Sequence, residues 1–306
     1  TTNYNVTEIT VTVVINPKSA NIEFGEGTQV NKETNTLTVT YKGDKFESTE
    51  LDNLIKAYYK NVNNADVSLT CTIDGENTVI QNAGTYSVTI SNSDSNYNVA
   101  PVTVTVVVDP MPIKAPSLSS STVEYGGCEA VAPSLNHQYQ YSEWDKYYSV
   151  GYDNEATAVG ENNYYVTVTI KDNYTWDEES IPEDATREGN IIKLPYKIVK
   201  ATPSITASDV TNPYIVGGYI VSEIIGATAS NGSGVEYYLV TTDENGEEVE
   251  TLITNLKNVG EYNIRIKVGG DGNYNSNQTD VVVTIEVGKV NEDDITIDNA
   301  ASFWGN

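Results

Sequence analysis

Residues 84–110 read GTYSVTISNSDSNYNVAPVTVTVVVDP. Val88 and Ile90 alternate with Thr89 and Ser91, and Val102, Val104, Val106 and Val108 then form a second, mostly alternating run. Apolar residues at a spacing of two are the mark of a strand with one buried face. The stretch between them, Asn92 to Asn98, is rich in Ser, Asn and Asp, residues that favour turns. The 27 residues therefore predict two β-strands joined by a polar corner, with Tyr86 at the start of the first.

The same order of events occurs three times. Gly84-Thr85-Tyr86-Ser87-Val88-Thr89-Ile90 is matched by Gly160 to Tyr165-Val166-Thr167-Val168-Thr169-Ile170 and by Gly260-Glu261-Tyr262-Asn263-Ile264-Arg265-Ile266. An Asn-Tyr pair follows each, at Asn96-Tyr97, Asn173-Tyr174 and Asn273-Tyr274. A closing strand follows each pair, at Val102 to Val108, Ile191 to Val199 and Val281 to Val287. An aromatic-Gly pair, Phe24-Gly25 and Tyr125-Gly126, sits near the start of each unit, degenerate at Val216-Gly217. The period of about 90 to 100 residues and the Tyr ahead of the penultimate strand fit an immunoglobulin-like sandwich, which packs about seven strands into ~100 residues. The Tyr ring is expected to fill the core and its hydroxyl to bond loop backbone. Further strands are expected at Thr36 to Tyr41, Val67 to Ile73 and Val235 to Val240, with a hairpin turn at Asp243-Glu244-Asn245-Gly246. In STELDNLIKAYYKNV, residues 48–62, Leu51, Leu54, Ile55, Tyr58 and Tyr59 fall at helical spacing, and Thr49 with Asp52 resembles a capping box. A short helix inserted in the first complete unit is expected there.

VEYGG (123–127), AVGENNYYVTVTIKDNYTW (158–176) and IVKATPSIT (198–206) carry a family likeness. Their order, aromatic-Gly, Gly-x-Tyr, Asn-Tyr, Val/Thr strand and Lys-Ala-x-Pro linker, resembles the bacterial immunoglobulin-like repeats of cell-surface proteins. The resemblance extends over all three units. It implies a stalk of an adhesin, a spacer beside carbohydrate-binding modules or a cell-wall protein, and it carries over no catalytic residue.

The chain also opens on a copy of its own closing strand. Asn3-Tyr4-Asn5-Val6 matches Asn96-Tyr97-Asn98-Val99, and Thr10 to Val14 matches Thr103 to Val107. The expected organisation is a last strand of a preceding repeat, or a donor strand, at 1–16; repeats at 17–110, 111–200 and 201–289; and the start of a further repeat at 290–306, where Trp304-Gly305 stands in the aromatic-Gly position. Ile9, Val11, Val13 and Ile15 share one face of the first segment. Burying them is worth about 1.5–3 kcal/mol each, so the strand is expected to be paired in any native context. Its partner is either upstream chain or another subunit, as in donor-strand complementation, which builds filaments.

Composition excludes several functions. With 43 acidic and 17 basic residues the net charge is −26, which argues against nucleic acid and anionic membranes as partners. No run approaches the roughly 20 apolar residues of a membrane helix, and no signal peptide is present, so a mature or excised segment is expected. Two cysteines exclude a disulfide framework; Cys71 alternates with core residues, and a bridge to Cys128 would cross units. His137 stands alone, which rules out most triads and multi-imidazole metal sites. The Asn-x-Ser/Thr sequons at Asn5, Asn173, Asn231 and Asn277 are expected by chance in so Asn- and Thr-rich a chain.

Two groups of residues are candidates for binding. Asp293, Asp294 and Asp298, and Asp243, Glu244, Glu247 and Glu248, could supply oxygens to calcium or could be solvated acidic loops. The stretch NHQYQYSEWDKYYSVGYD, residues 136–153, could stack sugar rings on Trp144, Tyr147 and Tyr148, or its aromatics could be core, with Trp144 buried between sheets and Trp176 capping the same core. No catalytic or metal-binding residue is assigned, and no cofactor is expected beyond possible calcium. The sequence thus reads as an all-β, non-catalytic, extracellular array of tandem immunoglobulin-like sandwiches, the stalk of a cell-surface or cell-wall protein. Short linkers would restrict bending and acidic surfaces would keep neighbours apart. Alternatives are a filament subunit joined by strand donation and a carbohydrate-binding surface protein. Expected partners are neighbouring repeats or subunits and a surface glycan or host ligand, without membrane insertion.

Overall fold

A computed structural model describes residues 7–75, 79–127, 129–139, 143–153, 155–160 and 164–288. The fold is all-β, built of tandem immunoglobulin-like sandwiches, with one short helix inserted in the first complete repeat and a second, Val221–Ile225, that the sequence reading missed. Two compact units divide the chain. One holds the chain up to Ser117 with Leu135–Gly151 and Thr167–Leu194; the other holds Leu118–Ser134, Tyr152–Val166 and the chain from Pro195 on.

In the first unit, one sheet runs in the order Thr36–Thr40, Val102–Asp109, Gly84–Ser91, Thr70–Ile73. It faces a layer formed by Glu23–Phe24, Ala57–Lys60 and Asp66–Ser68, beside the pair Lys18–Ala20 and Tyr97–Val99. The alternation read from residues 84–110 is realised: Val88, Ile90, Val104 and Val106 are fully buried, and Leu37 joins them from the edge strand. The run Val67 to Ile73, expected as one strand, breaks at Leu69, whose N–H still donates to Ala57 O as the last rung of the ladder with Ala57–Lys60. Before the break Val67 pairs with Tyr59; after it Cys71 pairs with Ile90, so the chain crosses from one layer to the other.

The inserted helix is Ser48–Ile55, with Leu51 and Ile55 buried. The expected capping box does not form. Glu47 is the N-cap without a side-chain bond, and Asp52 instead accepts from Cys71 N–H at 2.6 Å. The helix stops at Lys56 in a left-handed conformation. Tyr58 and Tyr59 therefore leave it for the strand Ala57–Lys60, where a period of two buries Ala57 and Tyr59.

In the second unit the sheet order is Val210–Pro213, Asn277–Glu286, Gly260–Val268, Val235–Thr242, Glu248–Leu252. Val221, Ile264, Ile266 and Val283 form the centre of its core. The predicted hairpin turn is present: Asp243 Oδ1 accepts from Asn245 N–H at 2.8 Å and Glu247 N–H at 2.9 Å, and Gly246 supplies the positive φ of 85°.

Three tyrosine corners form the expected hydroxyl bond to loop backbone, the middle one through Tyr164 and not Tyr165. Tyr86 Oη donates to Asn82 O at 2.9 Å, Tyr262 Oη to Asn258 O at 2.8 Å, and Tyr164 Oη to Ala158 O at 3.2 Å. The rings of Tyr86, Tyr164 and Tyr262 are half-buried, short of the expected burial, and Tyr165 is exposed, because the hydroxyl must reach loop backbone at the rim. Gly84 and Gly260 have φ of 151° and 154°, a region closed to side-chain-bearing residues, which explains the Gly-x-Tyr spacing. Gly160 lacks this conformation, and there the corner is made by a longer reach.

Candidate functional site: the joints that follow each closing strand

Each closing strand lies beside an edge strand in parallel. Val102–Asp109 pairs with Thr36–Thr40, Lys197 to Val199 with Thr122–Glu124, and Val283 to Glu286 with Val210–Pro213. A tyrosine follows each edge strand, and its N–H binds the end of the closing strand: Tyr41 to Asp109 O, Tyr125 to Val199 O and Tyr214 to Glu286 O, at 2.8, 2.9 and 2.8 Å. The equivalent of Tyr125 is thus Tyr41, not Phe24. Phe24 belongs to the strand Glu23–Phe24 paired with Ala57–Lys60, so the aromatic-Gly alignment read from the sequence is corrected. The true signal was legible as Thr-Val-Thr-Tyr41, Thr-Val-Glu-Tyr125 and Thr-Asn-Pro-Tyr214. The loop and bends between Gly25 and Asn35 displaced it.

The chain then enters the next set of strands by one repeated contact. Met111 N–H donates to Asn173 O at 2.9 Å, and Met111–Ile113 runs parallel to Tyr174–Trp176. Ala201 N–H donates to Asn273 O at 3.1 Å, with Ala201 bridged in parallel to Tyr274. Lys18 N–H donates to Asn96 O at 2.9 Å, and Lys18–Ala20 runs parallel to Tyr97–Val99. The Asn-Tyr pairs are therefore docking points for incoming chain. Tyrosine edges close two of these joints: Tyr41 on Tyr174 with centroids 5.7 Å apart, and Tyr125 on Tyr274 at 5.4 Å, both T-shaped. Such pairs add about 0.5–1.5 kcal/mol beyond area burial.

Asn173 is the most connected residue of the first joint. Its Oδ1 accepts from Ala83 N–H at 2.8 Å and its Nδ2 donates to Asn82 Oδ1 at 3.0 Å. Its φ of 73° is one that Asn tolerates better than most residues. A cleft of about 710 Å³ lies beside it, lined by Asn82, Asp109, Lys171, Asp172 and Asn190 among others. Burial foremost raises the Tyr174 hydroxyl above its ordinary pKa. In the second unit, Asn275 Nδ2 donates to Lys200 O at 3.3 Å and Thr202 Oγ1 at 3.1 Å, and Asn277 Nδ2 to Pro203 O at 2.8 Å. The sequon residues Asn173 and Asn277 thus hold their amides in structural bonds.

The aromatic candidates are brought together, but against one another. Trp144 lies on a single 3-10 turn, half-buried, stacked on His137 at 4.6 Å and on Tyr148 at 5.5 Å. The expectation that Trp144 is buried between sheets is corrected: the buried indole is Trp176, 2% exposed, with Nε1–H donating to Asn190 O at 3.2 Å. Tyr148 is fully buried, its hydroxyl 2.8 Å from His137 Nδ1 and pushed up to about 12 by burial, so it offers no face to a sugar. Tyr147 packs between Tyr139 and Tyr174. Tyr141 lies outside the described residues.

Carboxylates are spread over the surface. Among the described residues no charged side chain is buried, and no group of three His, Cys, Asp or Glu side chains could hold a metal ion. Asp243 is occupied by its own turn, and Glu248 binds Arg265 Nη1 at 3.1 Å. Asp293, Asp294 and Asp298, Trp304-Gly305, Asn5 and Cys128 lie outside the described residues, as does any bridge from Cys71 to Cys128. Among the described residues no helix is long and apolar enough to cross a membrane. Residues 7–17 form no strand, and Ile9, Val11, Val13 and Ile15 are 84, 74, 76 and 88% exposed.

No family profile matches the chain, and no curated protein does. Among solved structures it is similar to Drosophila N-cadherin EC1-3, at 10% identity and a TM-score of 0.24, over 82% of this chain and 98% of that one. The human desmocollin-1 ectodomain is 12% identical with a TM-score of 0.24, over 88% of this chain and 62% of that one. Mouse cadherin-23 EC22-24 is 12% identical with a TM-score of 0.21, over 88% and 99%. Likeness at this level carries nothing about binding or assembly, and the fold stands on the strand pairings described above.

Proposed function

We propose that this chain is a non-catalytic structural or adhesive spacer, an extracellular array of immunoglobulin-like repeats at 17–110, 111–200 and 201–289 that forms part of a cell-surface stalk of bacterial type. The observation that carries the reading is the repeated joint: backbone donation to the carbonyl of an Asn-Tyr pair, three times over, closed twice by a tyrosine edge. A protein selected only to display separate domains has no need of matched joints. The acidic surface, with a net charge of −26, favours solubility and separation of neighbouring stalks.

The test is the stiffness of the first joint. Spin labels at Glu33 and Glu179, both exposed and both within the first unit, should give one narrow distance distribution by pulsed electron paramagnetic resonance. Tyr41→Ala should broaden it. A broad distribution in the unaltered chain would sink the spacer reading.

A further inference from the structure

We propose that residues 7–16 are the closing strand of another sandwich of this same build, one that supplies an edge strand like Thr36–Thr40 and a Gly-x-Tyr strand like Gly84–Ser91 but has no closing strand of its own. The inference deepens the array reading, on which it rests. Three independent observations carry it.

The first is sequence in register with structure. Ile9-Thr-Val-Thr-Val-Val-Ile-Asn-Pro17 aligns with Val102-Thr-Val-Thr-Val-Val-Val-Asp-Pro110. Val102–Asp109 occupies the inner position between Thr36–Thr40, in parallel, and Gly84–Ser91, antiparallel. The second is burial. Val104, Val106 and Val108 are 0, 0 and 1% exposed there, while their counterparts Val11, Val13 and Ile15 are 74, 76 and 88% exposed. The side chains are therefore shaped for a two-sided core that no described part of this chain offers them. The third is the joint. Residues that follow Val102–Asp109 and Val199 dock on an Asn-Tyr carbonyl, and Lys18, which follows residues 7–17, docks on Asn96 O in the same way. Tyr97 matches this. Tyr174 packs on Tyr147 from its own sandwich and on Tyr41 from the one before. Tyr97, the counterpart of Tyr174 in the first sandwich, packs on Tyr59 with ring centroids 4.9 Å apart, as Tyr174 packs on Tyr147.

The occupant follows from these contacts. An edge-on pairing of two exposed strands would bury one side of each; the register with Val102–Asp109 calls for a slot with a strand on both sides and a core beneath. An open sandwich of the same build provides that slot.

The test extends the full chain. Residues 18–95 are placed ahead of Asn3, so that Ser95 runs into Asn3 as it runs into Asn96 in the natural chain. Amide exchange is then followed at residues 8–16. In the unextended chain these amides should exchange at close to open-chain rates; in the extended chain they should slow by roughly 1,000-fold or more, as core strands do, at every protein concentration. Val11→Asp with Val13→Asp in the extended chain should abolish the protection, while Thr10→Ala, on the other face, should leave it. Unchanged exchange in the extended chain overturns the proposal. So does protection that arises equally in the unextended chain as concentration rises, which would assign the segment to pairing between copies. Either failure leaves the spin-label distances within the first unit untouched, so it is distinguishable from failure of the spacer reading.

Discussion

Asn173→Ala is the sharpest test of the joint. The substitution removes the bond from Ala83 N–H at 2.8 Å and the bond to Asn82 Oδ1 at 3.0 Å. At a half-buried site each is worth about 0.5–1.5 kcal/mol. It also forces an alanine to hold φ of 73°, at a further cost of about 1–2 kcal/mol. The sum is roughly 2–5 kcal/mol. Asn173→Gly separates the parts, because glycine adopts this φ freely; it should cost only the bonds, roughly 1–3 kcal/mol. Urea unfolding followed by the fluorescence of Trp176, two strand positions beyond Tyr174, reads the stability. A double-mutant cycle with Asn82→Ala isolates the side-chain pair, and a coupling of about 0.5–1.5 kcal/mol is expected. If alanine and glycine both lie within about 0.3 kcal/mol of the unaltered chain, or show no difference from each other, the joint is not held in the way described.

Trp176→Ala should cost about 3–5 kcal/mol by leaving a cavity, whereas Trp144→Ala, on a half-buried surface turn, should cost distinctly less; both are read by urea unfolding followed by far-ultraviolet circular dichroism, because the first substitution removes the indole reporter. Tyr86→Phe and Tyr262→Phe each delete a corner bond and should destabilise by about 1 kcal/mol, read as a shift in thermal midpoint. Burial, with Asp52 beside it, raises the Cys71 thiol well above the ordinary range. Alkylation of Cys71 in the folded chain should therefore be negligible near pH 8 (about half a unit below an ordinary thiol pKa) and become rapid only in denaturant; peptide mapping after a timed pulse decides it. Arg265 binds Asp280 through two parallel bonds of 2.8 and 2.9 Å and holds that carboxyl below its usual pKa. A depressed folded-state value contributes stability that is present above the unfolded carboxylate pKa and lost as pH falls through the folded one. Acid titration from about pH 6 to 2 should thus weaken the chain, and Arg265→Leu should flatten that part of the profile; an unchanged profile would dismiss the pair as a stabilising element.

The strands were legible wherever a period of two ran uninterrupted. Thr36–Thr40, Val102–Asp109, Ile191–Val199 and Val235–Thr242 lie where alternation placed them. Reading faltered where tertiary contacts overrode a local pattern. Tyr58 and Tyr59 continue the helical spacing, yet Lys56 reverses the chain and pairing with Glu23–Phe24 and Asp66–Ser68 takes over. Leu69 looks like one more strand residue of the same sheet, but its N–H still bonds Ala57 in the ladder of Asp66–Ser68, and the chain passes to the other layer only after it. The aromatic stretch misled because position in a sandwich, and not composition, decides which indole is core: Trp176 sits on a strand paired with Met111–Ile113, Trp144 on an isolated turn. The joints were half legible. The Asn-Tyr pairs stood out as markers, but their role depends on carbonyl positions that no spacing rule reveals.

The parallel pairing of each closing strand has a mechanical consequence. In the first sandwich the chain enters at Lys18 beside Tyr97 and leaves at Asp109 beside Thr40. Pulling those two points apart slides parallel neighbours along each other, so the bonds between them are strained together in shear and cannot be peeled away singly. Resistance of that kind depends on the barrier to unfolding and not on equilibrium stability. Tension leaving Asp109 passes through one proline to Met111, already tied to Asn173, and so reaches another pair of parallel strands, Met111–Ile113 beside Tyr174–Trp176.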